Sequence, residues 1–391
     1  MAVGFFFCPD FQESKKPPWD YCRFLLGVAR GRTAEDNPAG TSGGLQFFWK
    51  GVFFELYGTS GTRKRFLRFG AACLLAVLAC SASVAMAVEM TPRMLVPVGH
   101  TVGIKLFARG VVVVKLSDGG TPARACGLRA GDVIVKCGGS TVTSTEQFQA
   151  LLQKSDGSTT DLQVQRQGDP VTLTVEPAPN DQGVYCIGAW IRDSMAGIGT
   201  MTYYDPATGA FGALGHGITD VDTAQLMPFA DGSILPSTVK AVKKGTAGCA
   251  GELKGNFDLT ADLGDLYANT NCGVFGTLDA EDHAAVLGEA VPTGTAKAGP
   301  AVIRANVRGD TVEEYDVEIL KVIPNASDGR EMVLSVTDPA LIAVTGGIVQ
   351  GMSGSPILQD GKLVGAVTHV LLNDPCKGYG IFIENMLDAA G

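Results

Sequence analysis

The chain has 391 residues, enough for two or three domains with sizeable cores. Its net charge of −9 argues against a nucleic-acid partner, because no basic stripe is available to neutralise phosphates. Hydrophobic residues at 46%, charged residues at 18% and 51 glycines exclude a helical bundle or a disordered chain and point to many short strands and turns.

Residues 1–62 mix aromatic clusters with Gly/Pro/Asp loops and sustain no period. They read as a non-native or disordered extension, with a cytoplasmic tail as the alternative. Residues 63–90 are different. Arg63, Lys64, Arg65 and Arg68 precede an apolar run over 69–87 that ends in Ala85-Met86-Ala87, the form of a signal-peptidase site. The run is also close to the length of a retained anchor. Either way, positive charge ahead of it places the bulk of the chain outside the cytoplasm and makes it membrane-associated at least before processing. Cys126, Cys137, Cys186, Cys249, Cys272 and Cys376 lie beyond this segment. None has Cys-x-x-Cys or Cys/His ligand spacing, so no metal and no cofactor is expected.

Pro92 and Pro97 mark a linker, followed by Thr101–Leu106 and the β-branched run Gly110–Leu116. Pro122–Leu128 suits a short helix closed near Gly127. Val133–Val135 suits a strand, and Gly138-Gly139 a hairpin turn. Ser144 or Thr145 can cap a helix carrying Phe148, Leu151 and Leu152. Asp161–Gln165 and Val171–Val175 alternate as strands about a Gln167-Gly168 turn. The run A-x-x-C-G-L-R-A-G-D-V-I with these elements resembles a PDZ domain over residues 95–177. The resemblance implies that a peptide C-terminus binds there by adding to a sheet edge. Gly103, Ile104, Lys105 and Leu106 would then be the carboxylate loop and edge strand.

Short strands and glycine turns continue over 180–391, the spacing of an all-β barrel or sandwich. Within them, Gly-Met-Ser-Gly-Ser-Pro at 351–356 places Ser353 between small neighbours, where a sharp turn exposes a hydroxyl. The amides of Gly351 and Ser353 can face a developing oxyanion. A serine nucleophile needs a base, and His216, His283 and His369 are the histidines of this region. His216 sits between two glycines in a turn and is best exposed to reach another loop. His283 lies in a polar stretch, and His369 ends an apolar strand where a structural role fits. Asp220, Asp258, Asp338 and Asp374 are rival third members, and sequence alone does not select among them.

Gly-His-Gly-Ile-Thr-Asp-Val-Asp-Thr at 215–223, Thr-Asp-Pro-Ala-Leu at 337–341, the run 346–357, Gly-Ala-Val-Thr-His-Val at 365–370 and Asn-Asp-Pro at 373–375 resemble the stage IV sporulation protein B peptidase family. That resemblance implies a mainly β chain: an N-terminal membrane segment, a PDZ domain and a trypsin-like double β-barrel serine peptidase. It also implies Ser353 as nucleophile, His216 as base and Asp338 as orienting acid. The implied substrate is a membrane-bound regulatory protein in the space between mother cell and forespore.

Overall fold

Val111 to Val114 are four consecutive valines, whose branched Cβ atoms favour extended backbone. In the computed structural model they form the second half of a 16-residue strand, Thr101–Leu116. The structure describes residues 92–258, 260–279, 288–324, 326 and 329–391, all within one compact unit. The expected extension 1–62, the expected signal or anchor 63–90 and His283 lie outside the described residues. Among the described residues no helix is long and apolar enough to cross a membrane.

Two closed barrels are present. In the first, six strands hydrogen-bond in a closed ring: Thr101–Leu116, Ala189–Tyr204, Ala210–Ala213, Gly273–Leu278, Gly264–Thr270 and Phe229–Lys243. Closure removes the sheet edges, and the inward residues fill the interior. Ile104, Leu106, Met201, Phe211, Ile234 and Val274 form that core. The second barrel closes through Gly299–Arg308, Thr311–Val322, Met332–Val336, Lys377–Phe382, Lys362–Val370 and Pro356–Gln359. Its core holds Ile303, Val317, Leu334, Ile357, Val364 and Val367.

The PDZ module is inserted into the first barrel. Strand Thr101–Leu116 runs through both: residues 101–107 pair with 194–200 on one side and 102–106 with 232–236 on the other. Residues 111 and 112 then pair with Ile134 and Val133 of the module. Val133–Cys137, Thr160–Arg166 and Asp169–Val175 continue this sheet. Helices Pro122–Ala125 and Thr145–Lys154 cover it, capped by Thr121 and Ser144. Phe148, Leu152, Leu162 and Val164 pack the module's core. Strand Thr101–Leu116 therefore serves both the first barrel and the module. That shared use comes from long-range pairing, which a local reading of 101–106 does not reveal.

This placement corrects the expected peptide site. Gly103, Ile104, Lys105 and Leu106 have strand partners on both sides, so they offer no free edge to a peptide. A Cβ on Gly103 would lie 2.7 Å from the Phe257 side chain, so that position is packed against the barrel rather than open.

Candidate active site

Ser353 occupies the turn that enters strand Pro356–Gln359. Gly351 and Gly354 have φ of +97° and +95°, conformations that suit glycine. A Cβ on Gly354 would lie 2.1 Å from the Thr200 carbonyl oxygen and 2.6 Å from the Leu214 nitrogen. The missing side chain lets the Ser353 turn lie against the strand and loop that lead to His216. The Ser353 hydroxyl donates to the Thr368 carbonyl at 2.8 Å. Ser355, two residues on, is fully buried, which removes it as a nucleophile.

The amides around Ser353 divide into two sets. Those of Met352, Gly354 and Ser355 donate to Val349, Val367 and Met352 carbonyls. Among the described residues, the Gly351 and Ser353 amides have no acceptor. They are the pair expected to receive an oxyanion.

His216 stands in a loop held by the buried Asn269. That side chain accepts from the Ile218 amide at 2.8 Å and donates to the Ile218 and Met227 carbonyls, each at 3.0 Å. Gly217 is required there, because a Cβ would lie 2.5 Å from the Thr270 carbonyl. His216 Nδ1 lies 2.9 Å from the Gly217 carbonyl. A carbonyl only accepts, so Nδ1 carries the proton and Nε2 is left as the basic atom. Burial pushes the His216 pKa down, and the Gly217 bond offsets part of that. The neutral base is the favoured form.

The two turns adjoin. A Cβ on Gly215 would lie 3.0 Å from the Thr368 side chain, and Thr368 is the residue whose carbonyl accepts from Ser353. The next side chain, His369, has its ring centroid 5.2 Å from that of His216. His369, expected as a structural histidine, therefore packs beside the proposed base.

No candidate aspartate is hydrogen-bonded to His216 among the described residues. Asp338 caps helix Pro339–Thr345: its Oδ1 accepts from the Ala340 and Leu341 amides at 2.8 and 3.0 Å, and its Oδ2 from the Asp316 amide at 3.4 Å. Asp220 pairs with Arg192 through Oδ2 and accepts from Asp222, Thr223 and the Thr223 hydroxyl through Oδ1. Asp258 closes its own turn on Thr260, and Asp374 pairs with Lys377. The partner of His216 Nδ1 in this structure is the Gly217 carbonyl. The run Thr-Asp-Pro reads equally as an N-cap followed by proline at the first helical position, and that is what it forms.

Two features had weak signals in the sequence. Thr200 is one polar residue in an alternating strand, yet it bonds Gly351 and Ser353. The second is the strand beside the PDZ helix. Val112, Val113, Lys115 and Leu116 pair antiparallel with Arg192, Ile191, Trp190 and Ala189. The same segment lies along helix Thr145–Lys154. Gln149 and Gln153 donate to the Tyr185 carbonyl at 2.8 and 2.7 Å, and Asp193 accepts from the Thr145 amide and hydroxyl. The cleft between strand and helix, where an added strand would enter, is filled by the chain's own residues 185–193.

The chain matches the SpoIVB peptidase S55 family over residues 183–387 and the PDZ domain family over residues 85–176. A putative zinc metalloprotease of Clostridium perfringens (CPE1693) is 32% identical over 68 residues, which are 17% of this chain and 20% of that protein. The match thus spans about one fifth of the length of that curated relative. Among solved structures, the PDZ domain of the SdrC-like protein Lmo2051 of Listeria monocytogenes is 24% identical, covering 21% of this chain and 87% of that one, with a TM-score of 0.20. The Rv3671c protease of M. tuberculosis, in its active form, is 13% identical, covering 50% and 74%, with a TM-score of 0.29. The S55 match covers more than half of the chain and contains both the His216 loop and the Ser353 turn. The chain belongs to the SpoIVB peptidase S55 family, a family of serine-type peptidases.

Proposed function

We propose that the protein is an extracytoplasmic serine endopeptidase in which Ser353 is the nucleophile and His216 the general base. The observation that carries this reading is the adjoining pair of turns: a Ser353 hydroxyl facing the Thr368 carbonyl, two amides without acceptors among the described residues, and a His216 whose Nε2 is basic. His216 Nε2 takes the proton as the Ser353 oxygen bonds to the scissile carbonyl carbon. The Gly351 and Ser353 amides stabilise the resulting oxyanion. The C–N bond breaks, His216 returns the proton to the leaving amine, and water then hydrolyses the acyl-enzyme by the same path in reverse. The Gly217 carbonyl holds the imidazole tautomer in place of a carboxylate.

The family membership supports a narrower reading. The substrate would be a membrane-bound regulator of an intramembrane protease, cut in the space between mother cell and forespore, so that a late sigma factor becomes active. Self-cleavage fits the same chemistry. Labelling with a serine-reactive diphenyl phosphonate tests the core of the proposal. Wild type is expected to be labelled at Ser353, Ser355→Ala likewise, and Ser353→Ala not at all. An unlabelled wild type that binds peptides tightly would instead mark a non-catalytic scaffold.

A further inference from the structure

Thr200 lies within strand Ala189–Tyr204 and is fully buried. All three of its polar groups are engaged with the reacting region. Its amide donates to the Ser353 carbonyl at 3.0 Å. Its hydroxyl donates to the Gly351 carbonyl at 2.7 Å. Its carbonyl accepts from the Leu214 amide at 3.1 Å, two residues before His216. One residue therefore joins both sides of the nucleophile turn to the loop of the base.

Peptide planarity turns these bonds into constraints on amide direction. The Gln350 carbonyl accepts from the Leu253 amide at 2.8 Å. The other end of that trans peptide is the Gly351 N–H, which must point the opposite way. The Thr200 hydroxyl fixes the following peptide through the Gly351 carbonyl. Both peptide planes flanking the Gly351 Cα are thereby clamped. A glycine without them reorients readily, since it has no Cβ to restrict φ. Leu253 acts through its backbone, so Thr200 is the side chain in this device.

We infer that Thr200 is a positioning residue for the oxyanion site. Its hydroxyl holds Gly351 so that the Gly351 and Ser353 amides face one point, and its backbone fixes that point relative to the His216 loop. The inference rests on the reading of Ser353 as the nucleophile.

The test measures phosphonate labelling of the full chain as a saturable reaction, giving a maximal rate kinact and a half-saturation constant KI. The phosphoryl oxygen needs the same amides as a peptide oxyanion, while Thr200 touches no ligand. Removing one oxyanion donor costs about 100-fold to 1,000-fold, so misaiming one should cost about tenfold or more. Thr200→Val is expected to lower kinact by that factor with KI unchanged. Thr200→Ser, which keeps the hydroxyl, is expected to restore it. A residue that only stabilised the fold would lower the fraction of protein that can be labelled, and the surviving molecules would react at the wild-type rate. A wild-type kinact for Thr200→Val, or a Thr200→Ser as slow as Thr200→Val, overturns the inference. If Thr200→Val does not fold, Thr200→Cys carries the same comparison, with an intermediate kinact expected and a wild-type value overturning it. If wild type is not labelled at Ser353, the underlying reading fails and takes this one with it, an outcome distinct from a slow or fast Thr200 variant.

Discussion

Arg192 and Asp220 form an ion pair that ties the strand along the PDZ helix to the loop carrying His216. Arg192 pairs with Val112 of the PDZ strand, and Asp220 is four residues past His216 and almost fully buried. The PDZ module and the His216 loop therefore share a charged contact. Breaking it leaves a buried carboxylate whose partners among the described residues are its turn amides and the Thr223 hydroxyl.

Removing one partner of a buried pair costs about 3–5 kcal/mol, and Arg192 is partly exposed, so about half of that is the better expectation here. Arg192→Gln should lower the melting temperature and lower the labelling rate of Ser353. Lys105→Gln, on the same barrel but outside the Arg192–Asp220 pair, serves as the comparison. Equal behaviour of the two variants would show that the pair does not couple the module to the loop.

The self-filled cleft of the PDZ module sets a second expectation. A peptide can add beside Val112–Leu116 only by displacing residues 185–193, which costs several main-chain and side-chain hydrogen bonds. Wild type should bind a fluorescent apolar C-terminal peptide weakly by polarisation. The Gln149→Ala, Gln153→Ala double variant removes the hold on Tyr185 and should bind it more tightly. Tight binding by wild type, unaltered in the double variant, would place the peptide elsewhere.

Asp338 is a helix cap in this structure, and a lost cap costs about 1 kcal/mol. Asp338→Ala should therefore destabilise the protein by about that amount, and Asp338→Ser should restore it. Both should still label at Ser353. A loss near the 10,000-fold expected for removing a triad acid, shared by the Ser variant, would place this carboxylate at His216 during catalysis.

What was legible in the sequence was local. The Pro122 helix with its Gly127 stop, the Ser144 cap, the Gly138-Gly139 turn and the turn settings of His216 and Ser353 each follow from a few neighbouring residues. Pairing over long distances was not legible. Thr101–Ala108 reads as an ordinary strand whether it opens a PDZ domain or a barrel, and only its partners at 194–200 and 229–236 decide. Ala189–Tyr204 likewise crosses from module to barrel as one strand, a continuity that its internal Gly197 and Gly199 do not announce. Thr200 carries no motif at all. Its role comes from what happens to lie across from it.

The state of His216 gives a pH expectation. Burial disfavours the imidazolium, so its pKa lies below the ordinary histidine value of about 6.5. The neighbouring titratable side chain is His369, which carries no negative charge to raise it. Ser353 needs the neutral base. Labelling should therefore stay constant as pH falls from 8 through about 6.5, and decline only below it. A carboxylate at Nδ1 would stabilise the imidazolium and move the decline upward. An acid limb centred above 6.5 would sink the carbonyl-held arrangement and return an aspartate to the site.

Two glycines separate backbone preference from close approach. Gly354 and Gly361 both have positive φ, +95° and +72°, and alanine at either position is strained by about 1 kcal/mol. Their surroundings differ. Among the described residues a Cβ at Gly361 meets nothing within 4 Å, whereas at Gly354 it would lie 2.1 Å from the Thr200 carbonyl oxygen. That oxygen belongs to the strand fixing the nucleophile turn, and it cannot move without disturbing Leu214 and the His216 loop. Gly361→Ala should lose a few degrees of melting temperature and label at the wild-type rate. Gly354→Ala should lose far more stability, and any folded fraction should label slowly, because the added methyl pushes Ser353 away from the loop of its base. Matching melting temperatures and labelling rates for the two variants would mean that the turn and the strand do not meet as closely as the contact between Gly354 and Thr200 requires.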